Sequence, residues 1–136
     1  MDADGANARK LANADAGHGY AANWSPDGRQ IAFVVRENPQ DENADTSSDA
    51  LLSNIYVVDV ETGNLTQVTN LTEGYVETPS WSPQGNILTF NKVLNGRMQV
   101  HIADMNSVEG GSPNPVSAEI KNIGTESTCC PAWMRK

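Results

Sequence analysis

Short apolar runs separated by polar turns dominate the chain. The runs Ile31 to Arg36 and Asn54 to Asp59 are rich in β-branched and aromatic residues and are flanked by turn-forming residues, a pattern typical of strands. Both faces of the stretch from Ile31 to Val35 are apolar or small, which predicts a strand covered on both sides. Strands are predicted from Tyr20 to Trp24, Ile31 to Arg36, Asn54 to Asp59, Leu65 to Thr69, Val76 to Trp81, Leu88 to Val93 and Met98 to Asp104, with a weaker one within Pro115 to Ile120.

A five-residue motif recurs with its surroundings. Trp24-Ser25-Pro26-Asp27-Gly28 returns 57 residues later as Trp81-Ser82-Pro83-Gln84-Gly85. Proline presets the first corner of a type I turn, and the glycine accepts the left-handed conformation that returns the chain as an antiparallel strand. The motif therefore predicts a β-hairpin corner in each copy of a repeat.

The repeat divides the chain into units of four antiparallel strands. Asp2 to Gly5 resembles Asp59 to Gly63, which makes 1–13 the last strand of a preceding unit. Pro131-Ala132-Trp133 echoes Pro79-Ser80-Trp81 and begins a further unit. We predict a first complete unit over 20–69, with a long acidic loop at 37–53, a second over 76–120, and the first strand of a following unit over 128–136, all within one repeat segment.

Composition excludes several classes of function. The 136 residues include 9 Lys plus Arg against 17 Asp plus Glu, a net charge of -8, so a nucleic acid partner is not expected. No run of 18 apolar residues exists, so no membrane insertion is expected. Neither a phosphate loop nor a zinc spacing is present, and we expect no cofactor and no metal.

Four short strands per unit and an aromatic landmark in each copy are typical of β-propeller blades. The fold class is therefore all-β, with two complete four-stranded antiparallel blades and a partial blade split between the termini. The sequence from Trp24 to Phe33, with Ile55 to Asp59 and Leu65 to Thr69, resembles the repeat of TolB-like propellers, which also occurs in the prolyl oligopeptidase family. The resemblance implies a non-catalytic protein-binding or structural scaffold in a periplasmic or extracellular protein.

Propeller closure requires about four to eight blades, so two blades leave sheet faces that something must cover. Either the chain is a fragment of a longer propeller, or identical copies complete the ring as a homo-oligomer. The expected partners are accordingly another protein or copies of the chain itself. The alternative is the gating propeller of a prolyl oligopeptidase-like serine peptidase, whose catalytic domain would lie outside this segment.

Candidate binding residues lie in the loops. Asp41 to Asp45 places oxygen ligands at alternate positions, but Thr46 and Leu52 stand where a calcium loop needs glycine and glutamate, which favours a solvated acidic loop. Neither histidine has a recognisable catalytic partner, and no Gly-x-Ser-x-Gly motif is present, so no catalytic residues are predicted. The tryptophans are expected in the core, and Cys129 and Cys130 as unpaired thiols in preference to a strained disulfide. The predicted binding candidates are His18, Asp41, Glu42, Asp45, Asp49 and Tyr75.

Overall fold

Seven strands form two antiparallel sheets in a computed structural model, which describes residues 6–13, 22–37, 52–107 and Trp133. The all-β class predicted from the sequence is confirmed for these residues. A short 3-10 turn, Met105–Ser107, follows the last strand. The strands are β1 (Asn23–Trp24), β2 (Gln30–Arg36), β3 (Ser53–Asp59), β4 (Leu65–Gln67), β5 (Tyr75–Trp81), β6 (Ile87–Leu94) and β7 (Arg97–Asp104).

The first sheet has four strands in the order β1-β2-β3-β4. One row of directly paired residues crosses it, with Trp24 opposite Ile31, Ile31 opposite Val58 and Val58 opposite Leu65. Because directly opposed residues share a face, these four side chains lie on one side of the sheet. Ala32 and Val34, paired with Val57 and Ile55, lie on the other side.

The hairpin corners have the geometry that their sequence predicts. In the first corner the amide of Gly28 donates to the carbonyl of Ser25 at 3.0 Å, and Gly28 has a φ of 72°. The hydroxyl of Ser25 accepts from the amide of Gln30 at 2.9 Å and donates to Asp27 at 2.6 Å. The hydroxyl of Ser82 likewise accepts from the amide of Ile87 at 3.1 Å. Both serines are turn residues, as predicted.

The second sheet has the order β5-β6-β7. A tight turn joins β6 to β7 at Asn95 and Gly96, whose φ angles of 51° and 71° are those of the two-residue turn that an Asn-Gly pair predicts. The fourth strand predicted between Pro115 and Ile120 lies outside the described residues.

The two sheets pack face to face and enclose one apolar core. The face of the first sheet that carries Ala32 and Val34 meets the face of the second that carries Trp81 and Phe90. Burying each large aliphatic side chain contributes about 1.5–3 kcal/mol, so this contact supplies much of the stability. The core cluster comprises Ala32, Val34, Ile55, Val57, Val68, Val76, Trp81, Leu88, Phe90 and Ala103.

Other predicted segments are described only in part. Residues 6–13 contain no strand, and the Arg9 guanidinium donates to the carbonyl of Val60. The amide of Glu37 donates to the carbonyl of Leu52 at 2.8 Å, so the ends of the predicted acidic loop are paired although its interior lies outside the described residues. Only Trp133 is described within 128–136. In the described part of the chain, no helix has the length and apolar character needed to cross a membrane.

Candidate functional site

The first strands of the two sheets, β1 and β5, are joined by reciprocal hydrogen bonds. The Trp81 indole Nε1 donates to the carbonyl of Asn23 at 3.1 Å. The side-chain amide of Asn23 donates in return to the carbonyl of Pro79 at 2.8 Å. A buried indole N–H requires an acceptor, and here the neighbouring sheet provides it.

The same bond recurs at Trp133. Its indole Nε1 donates to the carbonyl of Ser80 at 3.3 Å, and Ser80 stands directly before Trp81 as Asn23 stands directly before Trp24. Trp81 and Trp133 therefore each donate to the backbone carbonyl of the residue that stands directly before the preceding landmark tryptophan. The bonds between Trp81 and Asn23 and between Asn23 and Pro79 join the two described sheets.

Trp24 departs from this pattern. Its side chain is 56% exposed, compared with 7% for Trp81, and no hydrogen bond of its indole is formed with a described residue. The prediction that every tryptophan lies in the core is therefore wrong for Trp24. Leu65, at the other end of the same cross-strand row, is 51% exposed. We call Trp24, Ile31, Val58 and Leu65 the Trp24 row.

A second unusual feature lies on β5. Its pairing with β6 shifts register between Glu77 and Ser80, and Thr78 within this bulge has a φ of 48°. A left-handed φ is rare for a β-branched residue, and such outliers and bulges are concentrated at functional sites. Thr78 is exposed and Glu77 is half-buried.

Asn91 lies beneath the bulge. It is 1% exposed, and its amide Nδ2 donates to the Thr78 hydroxyl at 3.1 Å. Its Oδ1 has no hydrogen-bond partner in the described part of the chain, although buried polar atoms of native proteins are almost always paired. Glu77 is directly opposite Asn91 in the strand pairing, so both side chains lie on the same face.

Tyr75 completes this cluster. It lies two residues before Glu77 on β5, and alternate strand residues share a face. Burial and the nearby Glu77 charge raise the pKa of Tyr75, and burial raises the pKa of the Glu77 carboxyl. We call Tyr75, Glu77, Thr78 and Asn91 the bulge site.

The bulge site offers hydrogen-bond acceptors and a negative charge. Glu77 has neither an ion pair nor a hydrogen bond with a described residue, and Asn91 Oδ1 is a second open acceptor. A carboxylate next to an open amide oxygen suits a cationic group with several hydrogen-bond donors rather than an anion. Within 6–13, 22–37 and 52–107, no three His, Cys, Asp or Glu residues are grouped closely enough to hold a metal ion.

His101 has a structural position. It is 6% exposed, its ring centroid lies 5.5 Å from that of Phe90, and its Nε2 has no hydrogen-bond partner among residues 6–13, 22–37, 52–107 and Trp133. Burial, and secondarily the charge of Lys92, lowers its pKa to about 4. The imidazole is therefore neutral at pH 7 and packs as part of the sheet.

Of the predicted binding residues, the structure places only Tyr75, at the start of β5. His18, Asp41, Glu42, Asp45 and Asp49 lie outside the described residues and stay predictions. Sequence analysis missed the other three members of the bulge site. Two signals were available: Pro79 inside a predicted strand indicates a bulge or an edge, and Asn91 occupies the position that Val34 holds in the first repeat.

No protein-family model matches this chain, and no curated protein matches it. Solved structures do resemble it. A protein described as a TolB from Agrobacterium tumefaciens has a TM-score of 0.50 and 23% identity, with 76% of this chain and 32% of that chain covered. TolB from Acinetobacter baumannii has a TM-score of 0.51 and 20% identity, with 74% and 22% covered.

The fold is that of a TolB-like propeller. At such identities the likeness establishes the fold alone, and it supports the TolB-like fold that the sequence predicts. The chain spans 32% and 22% of the lengths of these two structures, so the activity and partners of a whole TolB protein do not transfer directly. The number of blades and the relation to prolyl oligopeptidases stay predictions.

Proposed function

We propose that this chain is a non-catalytic TolB-like propeller segment that acts as a protein-binding or structural scaffold in the periplasm or outside the cell. Isolated copies are proposed to associate through the exposed ends of the Trp24 row, Trp24 and Leu65, and so to extend the ring. The observation that carries the proposal is the contrast between Trp24 and Trp81, which occupy equivalent positions but are 56% and 7% exposed.

The packing of the two sheets inside this chain indicates what would cover the Trp24 row. The equivalent row of the second sheet, Trp81, Leu88 and Ala103, packs against the first sheet of the same chain. A sheet of the same kind supplies the apolar surface and the backbone carbonyl that an indole requires. A second copy of this chain carries such sheets, and head-to-tail contacts of this type can close into rings.

Sedimentation of the purified chain tests this proposal. We expect species larger than 14.6 kDa, with more association at high salt because a net charge of -8 repels identical copies. Trp24→Ala should abolish the association. Thr72→Ala, at an exposed position outside the sheets, is the matched control and should leave it unchanged. A wild-type chain that stays monomeric at all salt concentrations would exclude association in trans.

A further inference from the structure

We propose that the bulge site is a receptor for a guanidinium group, supplied by an arginine side chain of a polypeptide partner. The inference deepens the protein-binding part of the proposed function and rests on it for the source of the arginine. The bulge site lies on β5 and β6 of the second sheet, whereas the Trp24 row lies on one face of the first.

The carboxylate of Glu77 favours a positively charged ligand. Glu77 is a half-buried carboxylate whose ionised form loses hydration without gaining a cation from any described residue. The usual partner of a buried or half-buried carboxylate is a cation. A ligand that brings a positive charge replaces the lost hydration and relieves the cost that raises the Glu77 pKa. The acidic character of the whole chain attracts a basic partner in the same sense.

The unpaired amide oxygen of Asn91 independently favours a ligand that donates hydrogen bonds. Asn91 Oδ1 has no hydrogen-bond partner among the described residues, although Asn91 is only 1% exposed. The equivalent position of the first repeat is Val34, which is 2% exposed, so packing alone does not require an amide there. An acceptor beneath an exposed bulge is satisfied by a ligand donor or by one water that connects it to the ligand.

The arrangement favours guanidinium over ammonium. The guanidinium plane carries five donors in a fixed fork, so it can bind a carboxylate and still donate to a second acceptor. Guanidinium also stacks on aromatic rings, and Tyr75 provides a half-buried ring on the same face as Glu77. An ammonium is a strongly hydrated point charge that gains less from a planar neighbour.

The test is an NMR titration of the full chain with N-acetyl-L-argininamide, and with N-acetyl-L-citrullinamide as the neutral analogue of the same shape. We expect saturable shifts of the amide signals of residues 75–78 and of the Asn91 side chain with the arginine probe only. Glu77→Gln should weaken binding at least about tenfold, since a hydrogen bond to a charged group contributes about 1.5–3 kcal/mol.

Two further variants keep the test decisive. Asn91→Val introduces the residue of the first repeat, should fold, and should weaken binding severalfold. Glu73→Gln makes the same change of charge at an exposed loop position four residues away and should leave binding unchanged. Equal responses to the two probes, or equal weakening by Glu77→Gln and Glu73→Gln, would overturn the site. Failure of the chain to associate would leave this result unaffected and would count against the proposed ring alone.

Discussion

The two sheets of this propeller segment are built from nearly the same sequence pattern but differ in how they treat equivalent residues. Trp81 and its cross-strand neighbours are buried in the core, whereas Trp24 and Leu65 at the ends of the equivalent row are exposed. The difference comes from the neighbour and not from the residue, because only the second sheet has its tryptophan face against another described sheet. A propeller repeat thus specifies a position within a blade, and adjacent blades decide what is buried.

The faces of the two sheets that do not carry the tryptophans differ in polarity. The first sheet presents Ala32 and Val34 to the core, and the second carries Thr89 and Asn91 at the equivalent positions. All four side chains are buried. The first sheet is therefore specialised for apolar packing, whereas the second contains polar groups at its bulge.

The largest expected effect tests the tryptophan contrast. Trp81→Ala should lower the free energy of unfolding by about 3–5 kcal/mol, because it leaves a cavity between the sheets and removes the bond to Asn23. Trp24→Ala should change it by less than about 0.5 kcal/mol in a monomer, as surface substitutions do. Urea unfolding followed by circular dichroism measures both, at protein concentrations where association is absent. Equal losses in the two variants would contradict the contrast.

The next effect concerns the connection between the sheets. Gly74 has a φ of 73°, and a Cβ there would lie 2.4 Å from the carbonyl oxygen of Val93. Gly74→Ala should cost about 2–4 kcal/mol, from the left-handed backbone and the forced displacement of β6. Gly63→Ala is the matched control, with a φ of 74° and no atom within 4 Å, and should cost about 1–2 kcal/mol. Equal thermal denaturation curves for the two variants would show that the close approach does not matter.

Much of this architecture could be predicted from the sequence. The corners at Pro26 and Pro83 and the Asn95-Gly96 turn are set by local backbone preferences, which a sequence displays directly. The position of Trp24 could not be predicted, because its exposure depends on which sheets adjoin it. The bulge site was also missed: its members come from two strands, and only the register between Glu77 and Asn91 brings them together.

A reciprocal exchange tests the difference between the opposite faces. Val34→Asn should destabilise the first sheet by about 1–3 kcal/mol, because it buries a side-chain amide that has no hydrogen-bond partners there. Asn91→Val should stabilise the second by about 1 kcal/mol, since it removes an unpaired oxygen while the exposed Thr78 hydroxyl turns to water. Chemical unfolding of each single variant measures both signs. A destabilising Asn91→Val would mean that the Thr78 bond outweighs the unpaired acceptor.

The last comparison, of pH dependence, separates Tyr56 from His101, which occupy equivalent positions on β3 and β7. Burial lowers the His101 pKa from 6.5 to about 4, so the unfolded chain binds the proton first as the pH falls. Stability from this group is therefore complete above about pH 6.5 and is lost as the pH falls toward 4. Glu77, whose pKa is raised, changes stability with pH in the opposite direction, so the pH dependence must be compared between variants.

His101→Phe should reduce the loss of stability between about pH 7 and about pH 4.5, measured as the shift in urea midpoint. His18→Gln removes the other imidazole and controls for histidine titration in general. A pH dependence of His101→Phe identical to that of the wild type would show that this imidazole does not titrate differently on unfolding.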